Sequence, residues 1–193
     1  MNPAIEYPRR KTREVAVGNA IIGGDNPIVV QSMIVDDTRD VEKAIRGIIK
    51  LYDAGCEIVR VTVPTLRDAT ALAEIKAGLT HQGIPVPIVA DIHHQGTDIA
   101  LECAKHVDKL RINPGLFVFK KPKGDEEYSE DEHRQAQIEI GHQLQPVIEI
   151  CKQRGVAMRI GVNHGSLSDR MTVTYGDTPD GLVESALEFV RIC

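Results

Sequence analysis

The sequence predicts an α/β chain folded as a partial TIM-type (β/α) barrel, with about five parallel strands, crossover helices and a small N-terminal hairpin. Three observations lead there. Five short β-rich runs, residues 28–33, 58–64, 88–94, 109–115 and 157–163, alternate with helical patterns, the arrangement of parallel strands joined by crossover helices. The first three runs begin at residues 28, 58 and 88, an even spacing that suits one strand–helix unit each. Each run after the first also carries polar residues on one face and apolar residues on the other.

Ahead of the first run, residues 13–25 read as a hairpin that turns at Gly18-Asn19 and leaves through Gly23-Gly24. Residues 39–54 place Val41, Ile45, Ile48 and Tyr52 on one helical stripe and stop at Gly55, a residue able to take a left-handed cap. Residues 65–82 form a second helix opened by a capping box between Thr65 and Asp68, and residues 97–106 a shorter third. The polar stretch 117–137, with Lys120, Lys121, Lys123, Asp125, Glu126 and Glu127, reads as an inserted surface loop whose charges form a solvated face. Within it Ser129 and Glu132 form a capping box that starts a helix, which Pro146 is expected to kink or restart. Thr178, with Pro179 at the first helical position, opens a last helix carrying Leu182, Val183, Ala186, Leu187 and Val190.

Composition narrows the function classes. With 193 residues, 42% hydrophobic and 26% charged, the chain is long enough for a real core, and its formal charge of −5 comes without any dense cationic run. Binding to nucleic acid or to a membrane surface is disfavoured. No apolar run approaches the roughly 20 residues of a membrane span, and residues 1–10 lack the apolar block of a secretion signal, so a cytoplasmic protein is expected. Cys56, Cys103, Cys151 and Cys193 are widely spaced, which writes neither a zinc site nor a cluster loop; small apolar neighbours such as Ala54 and Ala104 favour buried thiols over nucleophiles at Cys56 and Cys103.

The chemistry lies in the strand alternation. Period two puts Arg60 with Thr62, Asp91 with His93, Arg111 with Asn113, and Arg159 with Gly161 and Asn163, while Val59, Val61, Ala90, Ile92, Leu110, Ile112, Met158 and Ile160 share the opposite face. An open doubly wound sheet has helices on both faces and leaves no place for three arginines; a barrel has an inward face whose upper end is the mouth where active sites sit. Five strands fall short of eight, so the barrel reads as incomplete, with exposed edges at residues 28–33 and 157–163. Arg60, Arg111 and Arg159 on one surface repel each other unless a multiply charged anion, for which a diphosphate is the natural choice, completes them. The alternative is that carboxylates such as Asp91 pair them in a structural network. Asp91 and His93 read equally as an acid–base pair or as a structural hydrogen bond. Gln31 and Ser32 stand ready to add neutral hydrogen bonds, His94, His164 and Ser166 lie in loops beyond the strand ends, and no dinucleotide or P-loop fingerprint is present.

These residues fall within motifs that run through nearly the whole chain: Arg9-Arg10-Lys11-Thr12-Arg13, Gly23-Gly24-Asp25, Val30-Gln31-Ser32-Met33, Asp53-Ala54-Gly55-Cys56-Glu57-Ile58-Val59-Arg60-Val61, Val89-Ala90-Asp91-Ile92-His93, Lys109-Leu110-Arg111-Ile112-Asn113-Pro114-Gly115 and Arg159-Ile160-Gly161-Val162-Asn163. Together they resemble the 4-hydroxy-3-methylbut-2-enyl diphosphate synthases of non-mevalonate isoprenoid biosynthesis. The stretch after Gly115 and the run Val162-Asn163-His164-Gly165-Ser166-Leu167 are similar to the branch found in oxygenic phototrophs. The resemblance implies a reductive ring opening of 2-C-methyl-D-erythritol 2,4-cyclodiphosphate, with ferredoxin or flavodoxin as electron donor and a homodimer as the full-length state. It also implies a 4Fe-4S cluster held by three cysteines and a glutamate in a C-terminal domain; residues 1–193 then form only the N-terminal substrate-binding barrel domain. By the same resemblance Arg60, Arg111, Asn113, Arg159 and Asn163 are substrate-binding positions, with Asp91, His93 and Gln31 beside them. A stand-alone phosphate- or diphosphate-binding module without redox activity is the competing expectation.

Overall fold

The computed structural model describes residues 10–93, 96–118, 123, 124 and 126–193. His94 and, in the charged stretch, Lys120, Lys121 and Asp125 lie outside the described residues, as does Arg9. Two strands, β1 (Val15–Val17) and β2 (Ala20–Ile22), form an antiparallel hairpin, and Gly18 takes the positive φ of 57° that its tight turn requires. Then β3 (Gln31–Met33), β4 (Ile58–Thr62), β5 (Ile88–Ile92), β6 (Lys109–Ile112) and β7 (Ala157–Ile160) form one parallel sheet in sequence order, open among the described residues with β3 and β7 at its edges. The number and order of the parallel strands, and the hairpin with its turn, are those the sequence predicts, with shorter strands.

The helices α1 (Val41–Asp53), α2 (Leu66–His81), α3 (Thr97–Cys103) and α5 (Glu130–Arg154) cover one face. Between sheet and helices Val59, Val61, Ala90, Leu110 and Ile112 meet Ile48, Leu72, Ile75, Leu144 and Val147 in a continuous core. Each buried Val, Ile or Leu among these stabilises the fold by about 1.5–3 kcal/mol. A smaller cluster sits on the other face: Val17 of the hairpin packs on Ile58 and Val89, so the hairpin plugs the lower end of the inner surface.

Capping follows the sequence closely. Thr65 and Asp68 close the capping box of α2, Gly55 with φ 93° follows the end of α1, and Thr178 accepts from the Gly181 amide ahead of α7 (Pro179–Ile192). Ser129 and Glu132 close the box of α5, and Lys123 reaches Glu132 while its ammonium stands 4.9 Å from the Tyr128 ring centre. The Lys123 ammonium, then the Ser129 amide and hydroxyl, hold the Glu132 carboxyl down to about 2. A carboxyl lowered in the folded state stabilises it above the ordinary glutamate range and loses that effect as pH falls through the lowered value. Protection of the first α5 amides, measured as exchange relative to the intrinsic rate at each pH, should therefore fall as pH drops from about 4.3 to 2; protection that stays constant across that window would contradict the linkage. Ser129→Ala should cost about 1 kcal/mol in chemical denaturation.

Four expectations are corrected. The first strand of the sheet spans only Gln31–Met33, because the Val30 amide donates to the Glu57 carboxylate at 2.8 Å instead of joining the ladder. Pro146 does not restart the helix, since α5 runs unbroken through it: Ala136, Ile140, Leu144, Val147 and Cys151 are buried on one stripe, and that burial offsets the roughly 3 kcal/mol cost of an interior proline. Tyr52 is exposed, and α1 buries Ala44 and Ile48. In α7 the buried face is Gly181, Ser185, Glu188 and Phe189, leaving Val183 and Val190 outside, because Phe189 packs edge-on against Phe117 at 6.0 Å and Glu188 pairs with Arg170. Two short helices, α4 (Pro114–Phe117) and α6 (Asp169–Tyr175), and a 3-10 turn at His164–Ser166 were not foreseen.

Candidate anion-binding site

The sheet register brings the inward side chains together in rows. Thr62, Asp91, Arg111 and Arg159 are successive register partners; one row below lie Met33, Arg60, Val89, Lys109 and Ala157. All four cations of the parallel strands, Arg60, Lys109, Arg111 and Arg159, fall on this face with one strand carboxylate, Asp91.

Asp91 is 8% exposed and accepts from Arg111 Nη1 at 2.8 Å, with Arg60 Nε 3.5 Å from its other oxygen. Arg111, 7% exposed, also donates through Nη2 to the Gly161 carbonyl at 2.7 Å and through Nη1 to His93 Nδ1 at 3.1 Å. A guanidinium only donates, so His93 Nδ1 is the acceptor and its ring proton sits on Nε2. These bonds occupy three of the roughly five N–H groups of a guanidinium. Asp91 and Arg111 thus form a rigid charged floor, as the structural reading expects of them. Arg60 leans on Asp91 and also donates to the Met33 sulfur at 3.2 Å.

Arg159 differs: it is exposed and has no hydrogen-bond or ion-pair partner among the described residues. Asn163, three residues after the end of β7, is exposed beside the upper end of the sheet. Asn113 is buried and committed elsewhere: its carbonyl accepts from the Gly115 amide at 3.3 Å and its amide donates to Ser166 Oγ at 2.9 Å, tying β6 to the turn after β7. Gln31 is exposed on the inner face, two residues below Met33, at the lower end of the sheet. The register therefore groups Arg60, Asp91, Arg111 and Arg159, with His93 on Arg111, and leaves Gln31 apart.

Sequence reasoning passed over Lys109, although counting back two residues from Arg111 reaches it. Lys109 is 8% exposed without a partner among the described residues, and burial, then the Arg159 charge, lowers its pKa. A lysine lowered in the fold costs stability while it is charged, and that cost lifts as pH rises toward the ordinary lysine range. Lys109→Met should accordingly raise ligand-free stability by about 1 kcal/mol, roughly 2–4 °C in Tm. A lower Tm in thermal unfolding would contradict this.

A partly open hollow of about 410 Å³ lies outside the sheet between α4, α5, α6 and α7, and on its wall Arg170 pairs with Glu188. Its described cations, Lys123 and Arg170, are both paired with carboxylates. The cysteines do not fit a 4Fe-4S cluster: Cys56, Cys103 and Cys151 are buried apart, burial raises the Cys103 and Cys151 thiols, the latter to about 11, and no group of three His, Cys, Asp or Glu among the described residues could hold a metal.

The family model described as GcpE TIM-barrel domain matches residues 12–193. The chain belongs to the GcpE TIM-barrel family. Its GcpE relatives include the 4-hydroxy-3-methylbut-2-en-1-yl diphosphate synthase (ferredoxin) of Microcystis aeruginosa, 59% identical over 186 residues, which cover 96% of this chain and 46% of the relative. The synthase of the same name from a Cyanothece species is 58% identical with the same coverage. This GcpE chain thus spans about half the length of the curated relatives it matches. Likeness to the solved β-methylaspartase of Clostridium tetanomorphum is slight, with a TM-score of 0.47 and 14% identity over 85% of this chain and 42% of that one. No described helix is long and apolar enough to cross a membrane.

Proposed function

We propose that this GcpE chain supplies the substrate-binding barrel portion of an enzyme that reductively opens 2-C-methyl-D-erythritol 2,4-cyclodiphosphate to 4-hydroxy-3-methylbut-2-enyl diphosphate. The observation that carries the reading is the inner face, where four strand cations stand against one strand carboxylate and Arg159 has no partner among the described residues. An uncompensated surplus of three positive charges at the mouth of a barrel suits a diphosphate, and the relatives are named as synthases of a diphosphate product.

In this reading Arg159 and Asn163 reach the diphosphate from the upper end of β7, Arg60 approaches from β4, and Arg111 acts as a fixed charge held by Asp91, with His93 and Asn113 around it. Gln31, at the lower end of the inner face, stands outside this group. The chain binds and orients; the electrons enter through a 4Fe-4S cluster whose ligands lie in a C-terminal iron-sulfur domain outside these 193 residues. The donor is ferredoxin, the word printed in the relatives' names, and the full-length protein works as a cytoplasmic homodimer.

The protein at the length of its relatives, given reduced ferredoxin and the cyclic diphosphate, should release the linear product. Residues 1–193 alone, given an artificial reductant, should bind the cyclic diphosphate without reducing it. Turnover by the isolated chain would place the redox group within it and overturn the division of labour; failure of the longer protein to turn over would leave a diphosphate-binding module.

A further inference from the structure

We propose that Gly161 is a positioning residue for this site, a flat seat whose missing side chain holds the Arg111 guanidinium on Asp91. The inference rests on the anion-binding reading above and names what fixes its central cation. A Cβ on Gly161 would lie 2.1 Å from Arg111 Nε and 3.0 Å from both Cγ and Cδ. These atoms belong to the stem of the side chain, so the clash cannot be relieved by swinging a free end. The backbone of Gly161 is pinned on both sides: its amide donates to the Ile112 carbonyl at 2.8 Å, and its own carbonyl accepts from Arg111 Nη2 at 2.7 Å. Its φ is outside the left-handed region, so the conformation does not demand glycine. Space alone demands it. Any side chain here lifts Arg111 away from Asp91 and His93 and leaves Asp91 with Arg60 at 3.5 Å as its remaining cation. A displacement of this kind degrades a site built on fixed geometry even when every charge is still present.

The test is a double-mutant cycle in the protein at the length of its relatives, with inorganic diphosphate as titrant and crystal structures of the variants. Gly161→Ala should weaken diphosphate binding tenfold or more and break the Arg111–Asp91 contact, while Arg111→Ala with Gly161→Ala should bind no worse than Arg111→Ala alone. Equal penalties in both backgrounds, or a Gly161→Ala structure with Arg111 still on Asp91, would overturn the proposal. If Arg111→Ala does not fold, the Gly161→Ala structure decides. Wild-type protein that ignores diphosphate would sink the anion-binding reading, and the seat would then stand or fall on the Arg111–Asp91 contact.

Discussion

Arg111→Ala is expected to destabilise the protein by about 3–5 kcal/mol, because it leaves a buried carboxylate without its close partner. Among the described residues Asp91 would keep the 3.5 Å approach of Arg60 as its remaining ion pair, and the Gly161 carbonyl and His93 Nδ1 would each lose a donor. Against a total stability of about 5–15 kcal/mol, that is a large share. Urea denaturation should show the loss, and adding Asp91→Asn should recover part of it by removing the stranded charge. A midpoint within experimental error of wild type would mean that Asp91 is held by something other than Arg111. Arg159→Ala should behave in the opposite way. Its side chain is exposed and has no partner among the described residues, so stability should move by less than about 0.5 kcal/mol, while diphosphate affinity falls by about 2 kcal/mol or more, some thirtyfold.

The second large effect lies on the helical side. Arg170, at the start of α6, donates to both oxygens of Glu188 at 2.6 and 2.7 Å, and its Nη1 donates to His133 Nδ1 at 2.9 Å. The side chains of Arg170 and Glu188 are 9% and 6% exposed. Burial and the Arg170 charge lower the His133 pKa, which keeps its nitrogen available as an acceptor. Arg170→Ala should cost about 3–5 kcal/mol and loosen α6 from α7, since it leaves the buried Glu188 carboxyl without its partner. The pair Arg170→Met with Glu188→Leu should be far milder, from neutral to stabilising, because no charge is stranded. Equal losses in the single and double variants would show that packing, not the ion pair, joins these helices.

The inner face was legible in the sequence because strand geometry leaves one freedom: side chains alternate, so Arg60, Asp91, Arg111 and Arg159 had to share a side once the runs were read as strands. How they divide their partners was not legible. Asp91 serves both Arg111 and Arg60 while Arg159 stands apart, so the structural and functional readings hold for different arginines of one cluster. Asn113 shows the same limit: its face was right, but its hydrogen bonds to Gly115 and Ser166 depend on a turn 53 residues away in sequence. In α7 the Leu and Val spacing pointed to one face, and Phe189 on Phe117 with Glu188 on Arg170 turned another inward. The seven residues of α6 carry a visible N-cap in Ser168 but no apolar stripe; the ion pair to α7 that holds them is a tertiary fact.

The most direct test of the account is calorimetric titration of the cyclic diphosphate into wild-type protein and into Arg159→Ala at two salt concentrations. The account predicts measurable wild-type binding that weakens with salt, and a loss of about thirtyfold or more in the variant with its thermal stability unchanged. Equal affinities in the two proteins would contradict it.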